Sequence, residues 1–469
     1  MSDSISQGRS VGHSRRPLNQ HGPRFHDTDD LNQELRRVFD ICHGCRRCVN
    51  LCNTFPTLFK LIDESDSCEV DGVASESYQQ VVDQCYLCDL CYRSKCPYVP
   101  PHEWNMDFPQ SMLRAKVVRF EQHKGATRDR LITSTDMIGK AATLPLVNPV
   151  VNALTRHGGA RWLLERTLDI HKHAPLPRYT RPTLRQRFTP ERNLDKQRVP
   201  ARAPASIEQA PTIGQGPTPS ANAGGKAILF STCYCNFNEP DIGASLYRVL
   251  RHNDVDVRFA RSEHCCGMPK LELGDLRSVD RQTQHNIQVL YPLAQAGWSI
   301  IAAVPSCVLM FRQTLPTLYP HDEQVRAVAD AFCDPFEFLQ RLHRRGRLNL
   351  EFRRGLGTVS YHVACHQRAQ GIGPRTQQIL ELIPDTTVKR IERCSGHNGT
   401  YAVKKESHDI ANRIAAPVVT RVTGHDPDHL GSDCPMAGRH IEARVTATDP
   451  HSELTSRHPL QLLCMAYGI

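Results

Sequence analysis

Two runs of closely spaced cysteines near the N-terminus constrain this chain more than any other feature. Each run has three cysteines spaced by two residues and a fourth after a gap of three or four residues: Cys42, Cys45, Cys48 and Cys52, then Cys85, Cys88, Cys91 and Cys96. Three thiolates on one tight loop, with a fourth close by, suit a cubane 4Fe-4S cluster, which needs four soft anionic ligands from several directions. The two runs therefore predict two 4Fe-4S clusters.

A structural zinc site is the main alternative for closely spaced cysteines. Zinc needs four ligands, usually from two Cys-x-x-Cys pairs, whereas this chain has eight cysteines in two triple-spaced runs, one of which ends in Cys96-Pro97. In two-cluster ferredoxins, the fourth cysteine of each run binds the other cluster. Carried over to this chain, that crossed pattern gives two ligand sets: Cys42, Cys45, Cys48 and Cys96 for the first cluster, and Cys85, Cys88, Cys91 and Cys52 for the second.

The rest of the composition favours an intracellular protein. Nineteen cysteines would indicate disulfides in a small secreted protein, but the first 25 residues are polar and lack the apolar segment of a signal peptide. No stretch approaches the roughly 18 apolar residues that a membrane-spanning helix needs. We therefore expect a cytoplasmic protein, with any membrane contact peripheral and on the inner face of the membrane.

Positive charge is concentrated in one segment. The net charge of +9 is uneven, because residues 171–203 contain nine lysines and arginines but only two acidic residues. No helix-turn-helix or RNA-binding pattern accompanies these cations, so nucleic-acid binding is not supported. Residues 172–225 are rich in proline and arginine with few large apolar side chains, which is typical of an extended or disordered linker. This linker could lie against an acidic partner or anionic lipid headgroups.

Helical patterns dominate the chain before this linker. We expect a disordered tail over residues 1–27, a helical domain that holds the two clusters over 28–125, and a helical extension over 126–171. The 32 residues between the cysteine runs have an apolar helical face, and this spacer resembles the all-helical ferredoxin domain of succinate dehydrogenase and its relatives. An apolar group in the extension is interpreted as core rather than as a membrane or quinone surface: Trp162, Leu163, Leu164 and Leu168.

A strand, loop and helix pattern occurs twice after the linker, over residues 226–350 and 351–469. In each copy, cysteines follow successive apolar strands: Cys233, Cys265 with Cys266, and Cys307 in the first, then Cys365, Cys394 and Cys434 in the second. Ligands bind at the carboxyl ends of the strands in open α/β sheets, so distant cysteines can converge there. The alternative is that these cysteines are merely buried small hydrophobic residues.

This arrangement resembles a family in which a two-cluster ferredoxin domain precedes two cysteine-rich CCG domains. Its members include the iron-sulfur subunits of anaerobic glycerol-3-phosphate dehydrogenase and glycolate oxidase, and the fused catalytic subunit of heterodisulfide reductase. The resemblance implies a multidomain fold, with an all-α ferredoxin-like N-terminal domain followed by an α/β part made of two CCG modules. In that family each CCG motif ends in Cys-x-x-Cys and can bind an unusual cluster.

Both CCG motifs are degenerate in this chain. Met310 replaces the last cysteine of the first motif, while Ser395 and Ala437 replace two cysteines of the second. The resemblance implies a further iron-sulfur or zinc site in the first module, with Cys235 as a substitute thiolate, and a degenerate site in the second: Cys233, Cys235, Cys265, Cys266 and Cys307, then Cys365, Cys394 and Cys434. A histidine could complete the second site, although each candidate is individually more often a hydrogen-bonding loop residue: His362, His366 and His397.

Together these features predict an electron-transfer subunit of an oxidoreductase. No glycine-rich dinucleotide fingerprint follows a strand, so we expect a separate flavoprotein dehydrogenase as donor and a quinone or another acceptor. Two alternatives remain open: a thiol, disulfide or peroxide-linked reductase whose active cluster lies in the first CCG module, and a metal-stabilised docking scaffold. The substrates glycerol 3-phosphate and glycolate are implied by the resemblance alone.

Overall fold

The described part of the protein covers most of the chain. The computed structural model describes residues 15–18, 20, 22–188, 225–260 and 262–469. Most of the predicted N-terminal tail, and residues 189–224 of the predicted linker, lie outside the described residues. Residues 172–188, at the start of that linker, are described.

Helices form the N-terminal region, as the sequence pattern predicts. They are α1 (Thr28–Cys45), α2 (Thr54–Asp63), α3 (Tyr78–Gln84), α4 (Leu90–Ser94), α5 (Phe108–His123), α6 (Thr127–Ile132), α7 (Thr135–Ala142), α8 (Val147–Leu154), α9 (Gly158–Leu168) and α10 (Leu184–Phe188). The side chain of Asp27 caps α1, which buries Leu31, Leu35 and Val38 along one face at amphipathic spacing. This buried face places the C-terminal end of α1, and with it the first cysteine run, against the core.

Two four-stranded parallel sheets follow in the C-terminal region. The first contains β1 (Lys226–Leu229), β2 (Asp256–Phe259), β3 (Ser299–Ile301) and β4 (Phe332–Cys333), and the second contains β5 (Gly357–His362), β6 (Thr386–Ile391), β7 (His429–Ser432) and β8 (Ser456–Arg457). The strand orders are β2-β1-β3-β4 and β6-β5-β7-β8, which are equivalent. The predicted α/β repeat is therefore confirmed.

Helices flank each sheet and join the two modules. The first module contains α11 (Cys233–Phe237), α12 (Pro240–His252), α13 (Met268–Leu273), α14 (Leu276–Gln295), α15 (Pro305–Leu309), α16 (Leu315–Leu318), α17 (Glu323–Ala331) and α18 (Pro335–Arg344), and the second contains α19 (Cys365–Ala369), α20 (Arg375–Leu380), α21 (His408–Gly424), α22 (Pro435–Thr448) and α23 (Pro459–Tyr467). A π-helical turn, Met310–Thr314, connects α15 to α16. The last helix, α23, packs against α12 of the first module, and α15 packs against α19. The two modules therefore share one core.

The N-terminal helices pack directly on both modules. Helices α5 and α7 contact α13 and α11 of the first module, and α4 contacts α19 of the second. The contact at α7 is close, because a β-carbon added to Gly139 would lie 2.2 Å from the ring of Phe237. These contacts bring the second cysteine run beside Cys365 and Cys394, which follow strands of the second sheet.

The start of the predicted linker is packed rather than extended. Leu184, the first residue of α10, is fully buried and lies against Gly243 of α12, where an added β-carbon would be 2.2 Å from its Cδ2 atom. The backbone amide of Thr180 donates to the carbonyl of Phe237 at 2.7 Å. The linker prediction is therefore wrong for this part, because one apolar residue among many polar ones anchors the segment.

A surface of exposed apolar side chains covers the helical extension. Of the thirteen large hydrophobic side chains that are exposed in the described residues, nine lie here and form the apolar patch: Leu131, Met137, Leu144, Leu146, Val147, Val150, Leu154, Trp162 and Leu163. The interpretation of Trp162 and Leu163 as core is wrong, since they are 55% and 53% exposed. Helix α9 instead turns Arg161 inward, where its guanidinium donates to three backbone carbonyls of residues 171–174. No described helix is long and apolar enough to cross a membrane.

Candidate functional site

The first predicted ligand set lines a single cavity at the C-terminal end of α1. Its members are Cys42, Cys45, Cys48 and Cys96. Helix α1 supplies Cys42 and Cys45, and Arg46 then adopts a left-handed conformation that turns the chain toward Cys48. Burial raises the pKa of Cys42 well above its ordinary value, and the charges of the other three thiolates raise it further. Thiolates gathered so closely need a metal to balance their charge, so this donor set fits an iron-sulfur cluster.

The second ligand set lines an adjoining cavity and also takes its fourth member from the other run. It comprises Cys85, Cys88, Cys91 and Cys52. Leu87 and Asp89 have positive φ angles of 50° and 59°, which fold the second run into a tight loop. An ion pair between Arg15 and Asp89, with Nη1 and Oδ2 2.7 Å apart, holds that loop. Burial raises the pKa of Cys85 to about 12, and the charge of Lys116 is the largest influence that opposes the rise.

The two cavities share a wall. Phe55 of α2 lines both of them. Burial raises the pKa of Cys91, and the charge of Cys48 from the other set contributes to the rise. Of the eight cysteines in the two runs, each cavity therefore contains three from one run and one from the other.

The first CCG module gathers four of its five candidate thiols near the ends of its strands. These four thiols interact through their sulfur atoms: Cys233, Cys265, Cys266 and Cys307. Hydrogen bonds from the thiols of Cys233 and Cys266 lower the pKa of Cys265. Cys235 is also buried, and burial raises the pKa of its thiol to about 12. The charge of Cys307 contributes to this rise, which indicates that Cys235 lies near the other thiols. This donor set fits either zinc or an iron-sulfur cluster.

Two neighbouring side chains complete the surroundings of this module's thiols. Asp136 of α7 accepts a hydrogen bond from the backbone amide of Cys265, with N and Oδ2 2.6 Å apart, and burial raises the pKa of Asp136 to about 6. The methyl carbon of Met310 lies 3.5 Å from the point that a β-carbon on Gly267 would occupy. The thioether therefore lies beside the Cys265-Cys266-Gly267 turn. Asp136 was not apparent from the sequence, since 129 positions separate it from Cys265.

The second CCG module divides its three candidate cysteines. The thiols of Cys365 and Cys394 interact with each other and line the cavity of the second ligand set. The Cys394 thiol also donates to the side-chain oxygen of Asn398 at 3.4 Å. Cys434 does not line that cavity, and burial raises the pKa of Cys434 to about 11, with a small contribution from the charge of Cys307 in the first module. Two of the three cysteines therefore line this cavity, where α19, which begins at Cys365, packs against α4 of the N-terminal helices.

The three candidate histidines of the second module have different surroundings. Both ring nitrogens of His362 are paired, one with the hydroxyl of Ser432 at 3.1 Å and the other with the carbonyl of Arg393 at 3.0 Å. Burial lowers the pKa of His366 to about 4. Neither ring nitrogen of His397 has a hydrogen-bond partner among the described residues. His362 is therefore a structural residue, and His397 is the candidate with free ligand atoms.

Comparison with known proteins agrees with this architecture. Residues 227–312 and 359–441 each match the CCG cysteine-rich domain. The chain is 24% identical over 350 residues to one of the subunits of anaerobic glycerol-3-phosphate dehydrogenase from Escherichia coli (strain K12), covering 74% of this chain and 79% of that protein. It is 25% identical over 262 residues to one of the subunits of fumarate reductase (CoM/CoB) from Methanothermobacter marburgensis, covering 55% of this chain and 50% of that protein.

A third relative is lactate utilization protein A of Bacillus cytotoxicus, which is 25% identical over 218 residues that cover 45% of this chain and 87% of that protein. These similarities indicate an iron-sulfur subunit of an oxidoreductase, and they confirm the resemblance that the cysteine motifs predict. The chain therefore contains two CCG cysteine-rich domains and is similar to these proteins.

Proposed function

We propose that this protein is the electron-transfer subunit of an oxidoreductase and relays electrons through two 4Fe-4S clusters. The observation that carries the proposal is the crossed grouping of eight cysteines in two cavities that share Phe55. The ligands would be Cys42, Cys45, Cys48 and Cys96 for the first cluster, and Cys85, Cys88, Cys91 and Cys52 for the second. When bound, such clusters accept and release single electrons.

The chain's own contribution is to bury the thiolates and to hold their loops in place. The rings of Phe55 and Phe108, with centroids 4.9 Å apart, form an apolar wall beside the second set. Lys116 is buried near Cys85 and places a positive charge beside this set. Burial disfavours the extra negative charge of a reduced cluster, whereas a nearby cation favours it. Lys116 should therefore raise the reduction potential at this site.

A separate flavoprotein dehydrogenase is the proposed source of the electrons. The sequence carries no dinucleotide-binding fingerprint of its own. Two similar proteins are named as subunits of glycerol-3-phosphate dehydrogenase and fumarate reductase, which supports a partner that performs the substrate oxidation or reduction. A quinone is the proposed acceptor.

The first CCG module supports a second candidate function, the reduction of a thiol or disulfide. Its four interacting thiols could hold a further iron-sulfur cluster or zinc: Cys233, Cys265, Cys266 and Cys307. Asp136 beside Cys265 has a raised pKa and could exchange a proton there. The second module, whose Cys365 and Cys394 lie against the N-terminal helices, is the better candidate for a docking scaffold.

The apolar patch supports a peripheral contact with the membrane. Leu146 is 86% exposed, and Arg166 lies over the ring of Trp162 at 5.7 Å, an arrangement that suits the boundary between lipid and water. We expect the full-length protein to co-sediment with anionic phospholipid vesicles. Replacing both Leu146 and Trp162 by serine should weaken this binding about thirtyfold, at roughly 1 kcal/mol per side chain. The same change at Leu350, which is exposed outside the patch, should have no effect.

Iron and acid-labile sulfide analysis of the anaerobically purified full chain, with EPR spectroscopy, tests the relay. About eight irons and eight sulfides are expected for two cubanes, and more if the first CCG module holds a cluster. Cys45→Ser and Cys88→Ser should each perturb the signal of one cluster. Cys68→Ser changes an exposed thiol outside both ligand sets and should perturb neither. Zinc in place of iron would contradict the relay.

A further inference from the structure

A cavity of about 740 Å³ lies between the N-terminal helices and both CCG modules. Its lining includes side chains from each of these three regions: Tyr86 and Lys116 from the N-terminal helices, Glu272 from the first module, and Tyr401 and Lys404 from the second. The volume falls in the range that is typical of small-molecule sites. The family motifs do not account for this cavity, since no cysteine is among the described residues that line it.

Most charged groups in the cavity neutralise one another. Three cations of the lining form ion pairs with three acids of the lining: Arg119 with Asp83, Arg128 with Glu406, and Lys404 with Asp129. Lys116 and Glu272 are different, because neither has an ion-pair or hydrogen-bond partner in the part of the chain that the structure describes. One cation and one acid thus remain for a ligand, which favours a neutral molecule with oxygen acceptors over an anion.

Lys116 is the more unusual of these two groups. Its side chain is only 5% exposed, and its ammonium group lies 5.0 Å from the ring centroid of Tyr86. A buried ammonium without an acceptor loses hydration that nothing in the protein replaces. Glu272 is partly buried and lies against Gly399 of the second module, where an added β-carbon would be 2.3 Å from its Oε2 atom. Both groups are therefore held in place beside the cavity.

The cavity also adjoins the second ligand set. Tyr86 follows Cys85 directly in the chain, and its ring packs edge to face against Tyr401, with centroids 5.0 Å apart. The hydroxyl of Tyr401 donates to the side chain of Gln84, which also accepts from Asn53 at 2.8 Å. Aromatic side chains thus form the wall between the cavity and the cysteines, and they suit a planar ligand.

Part of the cavity lining lies close to the apolar patch. Helix α6 contributes Arg128 and Asp129 to the lining, while Leu131 of the same helix is 39% exposed and belongs to the patch. A ligand that arrives dissolved in lipid would therefore meet the cavity at the edge of the surface that contacts the membrane. A water-soluble electron acceptor would not need an apolar patch beside its binding site.

We propose that this cavity binds the headgroup of a lipid-soluble quinone and that the quinone is reduced there. The inference rests on the electron relay proposed above. The quinone gains two electrons, delivered singly through the second ligand set, and two protons, one from the Glu272 carboxyl group and one from water, and it leaves as the quinol. Lys116 donates a hydrogen bond to the carbonyl oxygen on which negative charge develops. Solvent then reprotonates Glu272.

The ionisation of Glu272 makes the binding of quinone dependent on pH. Burial raises the pKa of Glu272 to about 7, against the opposing charges of Lys116 and Lys404. Below this pH the carboxyl group is protonated and donates a hydrogen bond to a quinone carbonyl, whereas above it the carboxylate can only accept. The other titratable or charged groups of the lining are His123 and the three ion pairs already described. Affinity for quinone should therefore fall as the pH rises through 7.

Anaerobic calorimetric titration of the full-length oxidised protein with menadione tests this assignment. Lys116→Met should weaken menadione binding about tenfold, the usual effect of losing one charge-assisted hydrogen bond. Glu272→Gln keeps a donor at the same place, so it should retain binding and lose the pH dependence between 6 and 8. Lys60→Met and Glu64→Gln, at an exposed ion pair outside the lining, are the matched controls and should bind as the wild type does.

Iron and sulfide content, measured on each sample, separates the failure of this inference from the failure of the relay. Normal cluster content with unchanged menadione affinity in Lys116→Met would overturn the quinone site and leave the relay intact. Displacement of menadione by benzoate at equal concentration would also overturn it, by assigning the cavity to organic anions. Lys116→Arg is the control for misfolding. It retains the positive charge, so it should retain most of the menadione binding.

Discussion

The two CCG modules have one topology but use their cysteines differently. Their sheets have equivalent strand orders, and each first helix begins at the cysteine after the first strand, Cys233 in one and Cys365 in the other. In the first module the thiols converge on one site. In the second, Cys365 lies against the N-terminal helices and Cys434 does not join it. A duplicated scaffold thus keeps ligand convergence in one copy and turns the same loop ends into a docking contact in the other.

The modules also differ in the residue that precedes the last candidate cysteine of each module. The first module has Ser306 before Cys307, whereas the second has Asp433 before Cys434. Asp433 is buried and accepts hydrogen bonds from the hydroxyls of Tyr361 and Thr376. A buried polar network therefore lies beside Cys434 in the second module.

The largest effect is expected from replacing cysteines, which tests whether the two modules differ in metal binding. Cys266→Ser should abolish metal binding at the first module, because Cys266 interacts with both Cys265 and Cys307. Cys434→Ser, which changes the last candidate cysteine of the second module, should leave metal content unchanged. Metal analysis and EPR spectroscopy of both variants provide the measurement, with the buried, isolated Cys333→Ser as control. Equal losses of metal in the first two variants would show that the modules act alike.

Sequence patterns predict which cysteines lie together because the members of each run are close in the sequence. Three ligands of each set lie within seven residues, as Cys42 to Cys48 do, and strand ends mark the rest. The crossed fourth ligands follow from the analogy to two-cluster ferredoxins. The sequence also predicts the α/β repeat, since several of its strands are short apolar runs that are followed by a cysteine.

Contacts between distant segments could not be predicted in this way. Asp136 reaches Cys265 across 129 positions, and Lys116 and Glu272 meet only when α5 packs on α13. No spacing rule connects such residues. The apolar face of α9 was assigned to the core because amphipathic helices usually bury that face, but here Arg161 occupies the inward position. Burial of one helix face against another is decided by the whole fold.

The second prediction concerns a histidine that joins the modules. His458 donates through Nε2 to the carbonyl of Ala303 in the first module at 3.0 Å, and burial lowers its pKa to about 4. Between pH 6.5 and 4 the unfolded chain binds a proton that the native protein lacks, so stability falls as the pH falls. The loss should reach about 2 kcal/mol at pH 5, at 1.4 kcal/mol per pH unit.

Urea denaturation at pH 7.5 and pH 5 measures this loss. His458→Asn removes the titrating group and should be less sensitive to acid than the wild type, although its stability at neutral pH is lower. His321→Asn changes an exposed histidine of the first module and should keep the wild-type slope. An unchanged slope in His458→Asn would mean that the contact between the modules is insensitive to protonation.

A smaller and opposite effect is expected from Asp433. Burial and the charge of Asp334 raise its pKa, so the native carboxyl group holds a proton that the unfolded chain releases. Stability therefore falls as the pH rises from about 4 through the raised native pKa. Asp433→Asn mimics the protonated form and should be about 1 kcal/mol more stable than the wild type at pH 8, with a smaller difference at pH 5. Asp330→Asn, at an exposed site of the first module, should show no such trend in the same urea titrations.

The smallest expected effect sharpens the question of whether the modules are held together by charge or by apolar packing. Arg439 of α22 forms a bidentate ion pair with Glu239 of the first module, and both N–O distances are 2.9 Å. Arg439→Lys keeps the charge but cannot make both bonds, and because the pair is half-exposed the loss should stay below about 1 kcal/mol. A double-mutant cycle with Glu239→Gln, followed by urea denaturation at low and high salt, isolates the coupling. A coupling energy well above this limit would make charge the main link between the modules, whereas a small one leaves that role to the packing of α12 against α23.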